Sequence, residues 1–155
     1  MPADNILHTN DTIPDLPCSV LKLVPQRPPM LLVDRLLSRD LAANFSVVEA
    51  SVPIDGIFVE QGRELLPEYF VELVAQAMAA VNGYDGLVAG KDAGRGFLVG
   101  INDFSWHGTA ALNESLRIEL KKTFEFGPVT VMAGQVFNGA GQVLARGEIK
   151  AWEGK

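Results

Sequence analysis

The chain has 155 residues, 13 Lys plus Arg against 19 Asp plus Glu, and a pI near 4.8. An acidic chain with no Lys/Arg cluster is a poor partner for a phosphate backbone, so nucleic acid is excluded, and no apolar stretch reaches the roughly 18 residues of a membrane span. Its length and 48% hydrophobic content point to one globular domain with a single core; a lone cysteine, Cys18, and the absence of Cys/His ligand spacing predict no disulfide, metal or cofactor, and a cytoplasmic location.

Residues 1–17 carry prolines at 2, 14 and 17 and little periodicity, and read as a flexible arm containing His8; residues 18–155 form the domain. Ser19 to Val24 predict a short helical turn stopped by Pro25, and the run to Pro29 is extended because a residue before proline is driven out of the α region. Met30 to Leu37 and Phe45 to Val52 follow as strands, after which Pro53, Asp55 and Gly56 turn the chain.

From Pro67 to Gly83, Phe70, Leu73, Val74, Ala77, Met78 and Val81 recur at helical spacing, with Pro67 suited to the first turn and Gly83 to the C-terminal cap. Ala89 to Gly96 reads as a loop. Four more strands are expected at Phe97–Trp106, Ser115–Phe126, Val129–Asn138 and Gln142–Trp152, the last three joined by Gly127-Pro128 and Asn138–Gly141 turns. Such turns are too short for parallel crossovers, so the fold class is α+β, an antiparallel sheet wrapped around one long helix.

The chemistry-bearing residues are few. Glu72 and Gln76 lie one helical turn apart, their Cβ atoms about 5–6 Å from each other, and a carboxylate enclosed by Val71, Leu73 and Val74 is a candidate general acid. The plainer alternative is a carboxylate that reaches water from a helix edge or is bonded in a subunit interface. His107 reads as a surface or interface residue beside Trp106, Cys18 as a small buried thiol, and Phe70 as core. Gly62 and the turn before Pro67 are expected to bring backbone N–H groups to the helix start, where negative charge is favoured.

Three segments carry a resemblance through their order and spacing. LVPQRPPMLLVDRLL (Leu23 to Leu37), VELVAQAMAA (Val71 to Ala80) and FLVGINDFSW (Phe97 to Trp106) together resemble the hotdog-fold 3-hydroxyacyl-ACP dehydratases of the FabA/FabZ type, over most of the chain from about Leu21 onward. The resemblance implies a dimer acting on acyl chains held as thioesters on acyl carrier protein or CoA. In that family a His before the helix exchanges the proton next to the thioester, and an acid on the helix, from the other subunit, handles the departing hydroxyl.

Glu72 matches the acidic position and Gln76 the family's Gln. Counting back from Glu72, the His position falls on Phe58, within IFVEQGRELLPEYF, and the His of the opening turn is Gln26. Phe at this place with Leu-Pro before the helix is similar to the aryl-polyene (ApeP-like) branch.

The resemblance thus implies Glu72 as catalytic residue, with Gln76, Phe58 and Tyr69 binding substrate and Phe97 near the acyl channel. Two versions follow: a lyase using another base, with His107 and Glu60 the first candidates, or a half-site subunit, as a homodimer or as a heterodimer with a His-bearing hotdog dehydratase. A hotdog thioesterase, with the helix carboxylate activating water, and a non-catalytic acyl-binding module remain open.

Overall fold

The turns read at Gly127-Pro128 and Asn138–Gly141 each bring the two strands they join side by side. The computed structural model describes residues 13–90 and 95–154. Its strands are β1 (Cys18–Ser19), β2 (Val33–Asp40), β3 (Phe45–Ser51), β4 (Arg95–Trp106), β5 (Ser115–Phe126), β6 (Val129–Phe137) and β7 (Val143–Gly154), and one long helix, α1 (Glu68–Val88), separates β3 from β4. They form a single antiparallel sheet in the order β1-β2-β3-β5-β6-β7-β4.

The sheet wraps α1, as expected of a hotdog fold. Leu36, Val48, Ile118, Leu120, Met132, Val136 and Ile149 on its inner face pack with Phe70, Leu73, Val74, Ala77, Met78 and Val81 of the helix. Closeness requires small residues: a Cβ on Gly134 would stand 2.7 Å from a Val74 methyl. The far half of α1 is tied down by charge. Arg39 of β2, almost wholly buried, donates two hydrogen bonds of 2.8 Å from Nε and Nη2 to the Asp85 carboxylate, and Lys122 of β5 lies 3.6 Å from the same carboxylate.

The structure departs from the sequence reading at several strand ends, where β2 runs on to Asp40 and β4 starts at Arg95, and at three places that have a clear physical reason. β1 is additional, because two residues show no alternation; it precedes a single 3-10 turn at Val20–Lys22, capped by Ser19 Oγ accepting from the Leu21 amide. β2 begins at Val33 and not at Met30, since the Met30 carbonyl and Leu32 amide are occupied by Gln76 and not by a neighbouring strand.

The helix continues five residues past Gly83. That glycine is no cap: a Cβ there would overlap the Leu23 carbonyl, so it marks where α1 crosses the backbone of the preceding segment. The helix ends at Ala89, whose amide bonds the Asp85 carbonyl, followed by Gly90 at φ +69°. The N-terminal arm through residue 12 with His8, the loop centre at 91–94 and the side chain of Phe97 lie outside the described residues. No helix among the described residues is long and apolar enough to cross a membrane.

Candidate functional site

Gln76 is the organising residue. Its side chain is buried on the face of α1 that meets the chain entering β2, and its Oε1 accepts a 2.7 Å hydrogen bond from the Leu32 amide. Nε2 donates both its hydrogens, one to the Met30 carbonyl at 2.9 Å and one to Glu72 Oε2 at 3.1 Å. The two backbone partners fix which way the amide points, so an N–H necessarily faces Glu72 and holds it as an acceptor. With no free N–H left, Gln76 acts on Glu72 and offers no donor to a ligand.

Glu72 itself is half-buried, and among the described residues no donor is bonded to its second oxygen. One turn back, Tyr69 is fully buried and its hydroxyl has no hydrogen-bond partner among the described residues. Burial, with the charge of Asp34 adding to it, pushes the Tyr69 hydroxyl well above the usual phenol range, so it keeps its proton and remains a donor.

Phe58 packs edge-on against the Tyr69 ring, centroids 5.9 Å apart, and Tyr69 in turn against Phe70 at 5.4 Å. The position that the resemblance assigns to a His is therefore filled by an apolar ring in an aromatic cluster.

The loop from Phe58 to Leu66 is a small hairpin. Val59 and Leu65 form a bridge, the Glu60 amide bonds the Glu64 carbonyl, and Arg63 takes φ +64° at the turn. Its outer side forms an open hollow of about 510 Å³ lined by Ile57, Val59, Glu60, Gln61, Gly62, Glu64 and Leu66. Phe58, Tyr69, Glu72 and Gln76 do not line it. Gly62 thus belongs to the hairpin and not to the helix start, and the Tyr69 and Phe70 amides are turned onto the Leu66 and Pro67 carbonyls. The expected cluster of free N–H groups is corrected accordingly.

His107 lies exposed at the end of β4, its Nε2 2.9 Å from Ser105 Oγ. Cys18 is buried, which pushes its thiol pKa up and away from nucleophilic use. Among the described residues no three His, Cys, Asp or Glu side chains gather as a metal-holding group.

Two features escaped the sequence reading. Asp34 is the extra residue of a β-bulge between Val33 and Arg35 and accepts from Ser51 Oγ at 3.1 Å. Trp106 Nε1 donates to the Pro67 carbonyl at 2.9 Å. A bulge leaves no mark in hydrophobic periodicity, and neither contact is local in sequence. Chemically, Glu72 is a carboxylate aimed by Gln76, and Phe58, the position that the resemblance assigns to a His, has no group that exchanges a proton.

The family model of the ApeP-like dehydratases, described as ApeP dehydratase, matches residues 18–155. No curated protein matches the sequence. Among solved structures, the dehydratase heterocomplex ApeI:P from Xenorhabdus doucetiae is similar with TM-score 0.77 and 20% identity, over 89% of this chain and 92% of that one. The PaaI protein of the E. coli phenylacetic acid degradation operon has TM-score 0.60 and 14% identity, over 76% and 81%. Zebrafish thioesterase superfamily member 2 has TM-score 0.62 and 19% identity, over 84% and 88%. At these identities the structural likenesses establish the fold alone.

Proposed function

Because the chain belongs to the ApeP-like dehydratase family, we propose that it is one half of a 3-hydroxyacyl-thioester dehydratase, completed by a hotdog subunit that carries the missing His. The substrate is a 3-hydroxyacyl chain on acyl carrier protein, with CoA as a stand-in, and the working compartment is the cytoplasm. In the shared site the partner's imidazole takes the proton from the carbon next to the thioester carbonyl. Glu72 gives a proton to the 3-hydroxyl, which leaves as water as the carbon–carbon double bond forms. Gln76 keeps the carboxylate aimed.

The observation that carries this reading is the contrast between the two positions: Glu72 is held by a fully bonded Gln76, while Phe58 is committed to packing against Tyr69. Two further points support it. The similar Xenorhabdus doucetiae protein is part of a heterocomplex, and β4 is a free sheet edge exposing Leu98, Val99 and Ile101, open to a second subunit.

The test is hydration of crotonyl-CoA or crotonyl-ACP by the purified chain, by a His-bearing hotdog dehydratase subunit, and by their mixture. Turnover is expected only in the mixture, without release of free thiol, which separates the activity from that of a thioesterase. Glu72→Gln in this chain should lower it by about 100-fold or more. Full turnover by the chain alone, or by a mixture containing Glu72→Gln, sinks the reading.

A further inference from the structure

Three polar contacts from its own residues or its cap fasten α1 to the sheet and the segments around it. Asp85 grips Arg39 near the C-terminal end, Gln76 grips the entry to β2 in the middle, and Trp106 grips the beginning. The first two use buried or partly buried charge and amide groups, whereas the third is made by a ring that remains 47% exposed. Its construction is elaborate for a surface side chain.

Between Asn102 and Ser105, β4 takes three steps while β7 takes two, so that Asp103 and Phe104 together stand opposite Gly147. Asp103 sits at φ +52°, a conformation that Asp tolerates better than most residues. Phe104 then lies against Gly147, where any Cβ would overlap its ring. The Trp106 ring packs tilted on Phe104, centroids 5.1 Å apart, and its Nε1 reaches the Pro67 carbonyl. Pro67 is the N-cap of α1 and makes no side-chain capping bond. Trp106 therefore supplies from β4, the free edge strand, the fixation that the helix start lacks.

We propose that Trp106 is a positioning residue for Glu72, setting the first turn of α1 so that the carboxylate projects in register with the edge where the second subunit joins; this rests on the half-site reading above. Glu72 lies on the second turn of the helix, between the Trp106 contact at Pro67 and its own bond to Gln76. Its projection is thus defined from both sides along the axis, and freeing one side lets the carboxylate wander from its aim. Displacements on the ångström scale far from the reacting atoms are enough to slow a reaction substantially.

Trp106→Phe keeps an aromatic ring beside Phe104 and removes the N–H together with the five-membered ring that carries it. In the active mixture with a His-bearing subunit, hydration of crotonyl-CoA should show kcat lowered about tenfold and KM within about twofold. In a Glu72→Gln background the same substitution should lower kcat no further, because the two act through one group. An equal loss in both backgrounds means that Trp106 merely supports the fold, and overturns the proposal.

A second readout needs no partner. In the chain alone, the ¹H–¹⁵N side-chain amide signal of Gln76 reports its bond to Glu72, and it should move on Trp106→Phe in the direction that Glu72→Gln moves it. An unmoved signal overturns the proposal as well. If Glu72→Gln leaves turnover of the mixture unchanged, the half-site reading falls and takes this one with it; if Glu72→Gln abolishes turnover while Trp106→Phe is silent, only the positioning role falls.

Discussion

A glutamine that bonds two backbone groups and a carboxylate at once cannot be exchanged without cost. Gln76→Ala would strand the buried Leu32 amide, whose loss of a partner costs about 1–3 kcal/mol, and would also free the part-buried Met30 carbonyl. Urea unfolding should therefore record a loss of about 2–4 kcal/mol, and a loss under about 0.5 kcal/mol would mean that water replaces the amide. The pairing with Glu72 was readable in the sequence because it spans one helical turn. The backbone partners lie 44 and 46 residues away and leave no local signal.

Asp34 illustrates the same limit and adds a pH dependence. Desolvation by its neighbours, aided by the Glu49 charge, raises its carboxyl pKa against the opposing bond from Ser51. The folded state then binds the proton more tightly than the unfolded chain, so the stabilisation is full below the ordinary carboxylate pKa and is lost as pH rises through the raised one. Asp34→Asn should remove this dependence: its melting temperature, relative to that of the natural chain, should climb as pH rises across that acidic window. Parallel melting curves at all pH values would show that Asp34 titrates normally.

Among the elements, α1 was the most legible, because a helix that buries one stripe writes its period into the sequence. Its end was misread for a physical reason. Glycine stops helices by its conformational freedom, but Gly83 is needed for its lack of volume, and the Leu23 backbone it meets is 60 residues earlier in the chain. Two effects therefore oppose each other in Gly83→Ala. Helix propensity favours alanine by about 1 kcal/mol, whereas overpacking against a backbone carbonyl that cannot rotate away costs about 1–3 kcal/mol or more. The balance should lower the thermal midpoint, and a raised midpoint would place Gly83 on an open face. Strand ends shifted by a few residues from expectation, while β1 and the bulges of β2 and β4 went unseen, since pairing of two residues and one-residue slips are decided by neighbours in space.

On the scale of the whole molecule the two sheet edges differ. β1, two residues long, leaves little ladder unpaired, whereas β4 runs for twelve residues with Leu98, Val99 and Ile101 exposed. An apolar edge of that length is where another chain adds. The chain at micromolar concentration is expected to sediment as a dimer, and Val99→Lys to release monomers with an unchanged far-UV circular dichroism spectrum. A natural chain that sediments as a monomer would refute this. The fold class was legible from the order and shortness of the turns; the half-site reading proposed above rests in the sequence only on Phe58 where the resemblance assigns a His, because a site shared by two chains has half of its residues in another sequence.

Phe58 also bears on what a proton carrier at this position would require. Its ring is one of three aromatic side chains stacked edge to edge, so Phe58→His would set an imidazole against Tyr69 within a cluster of apolar contacts. Burial disfavours the charged imidazolium, and the Val59–Leu65 hairpin that follows holds the backbone for a packing residue and not for a proton shuttle. A working imidazole here would require the ring, its neighbours and the loop to change together. On the half-site reading proposed above, it is this packing that leaves the chain dependent on a second subunit.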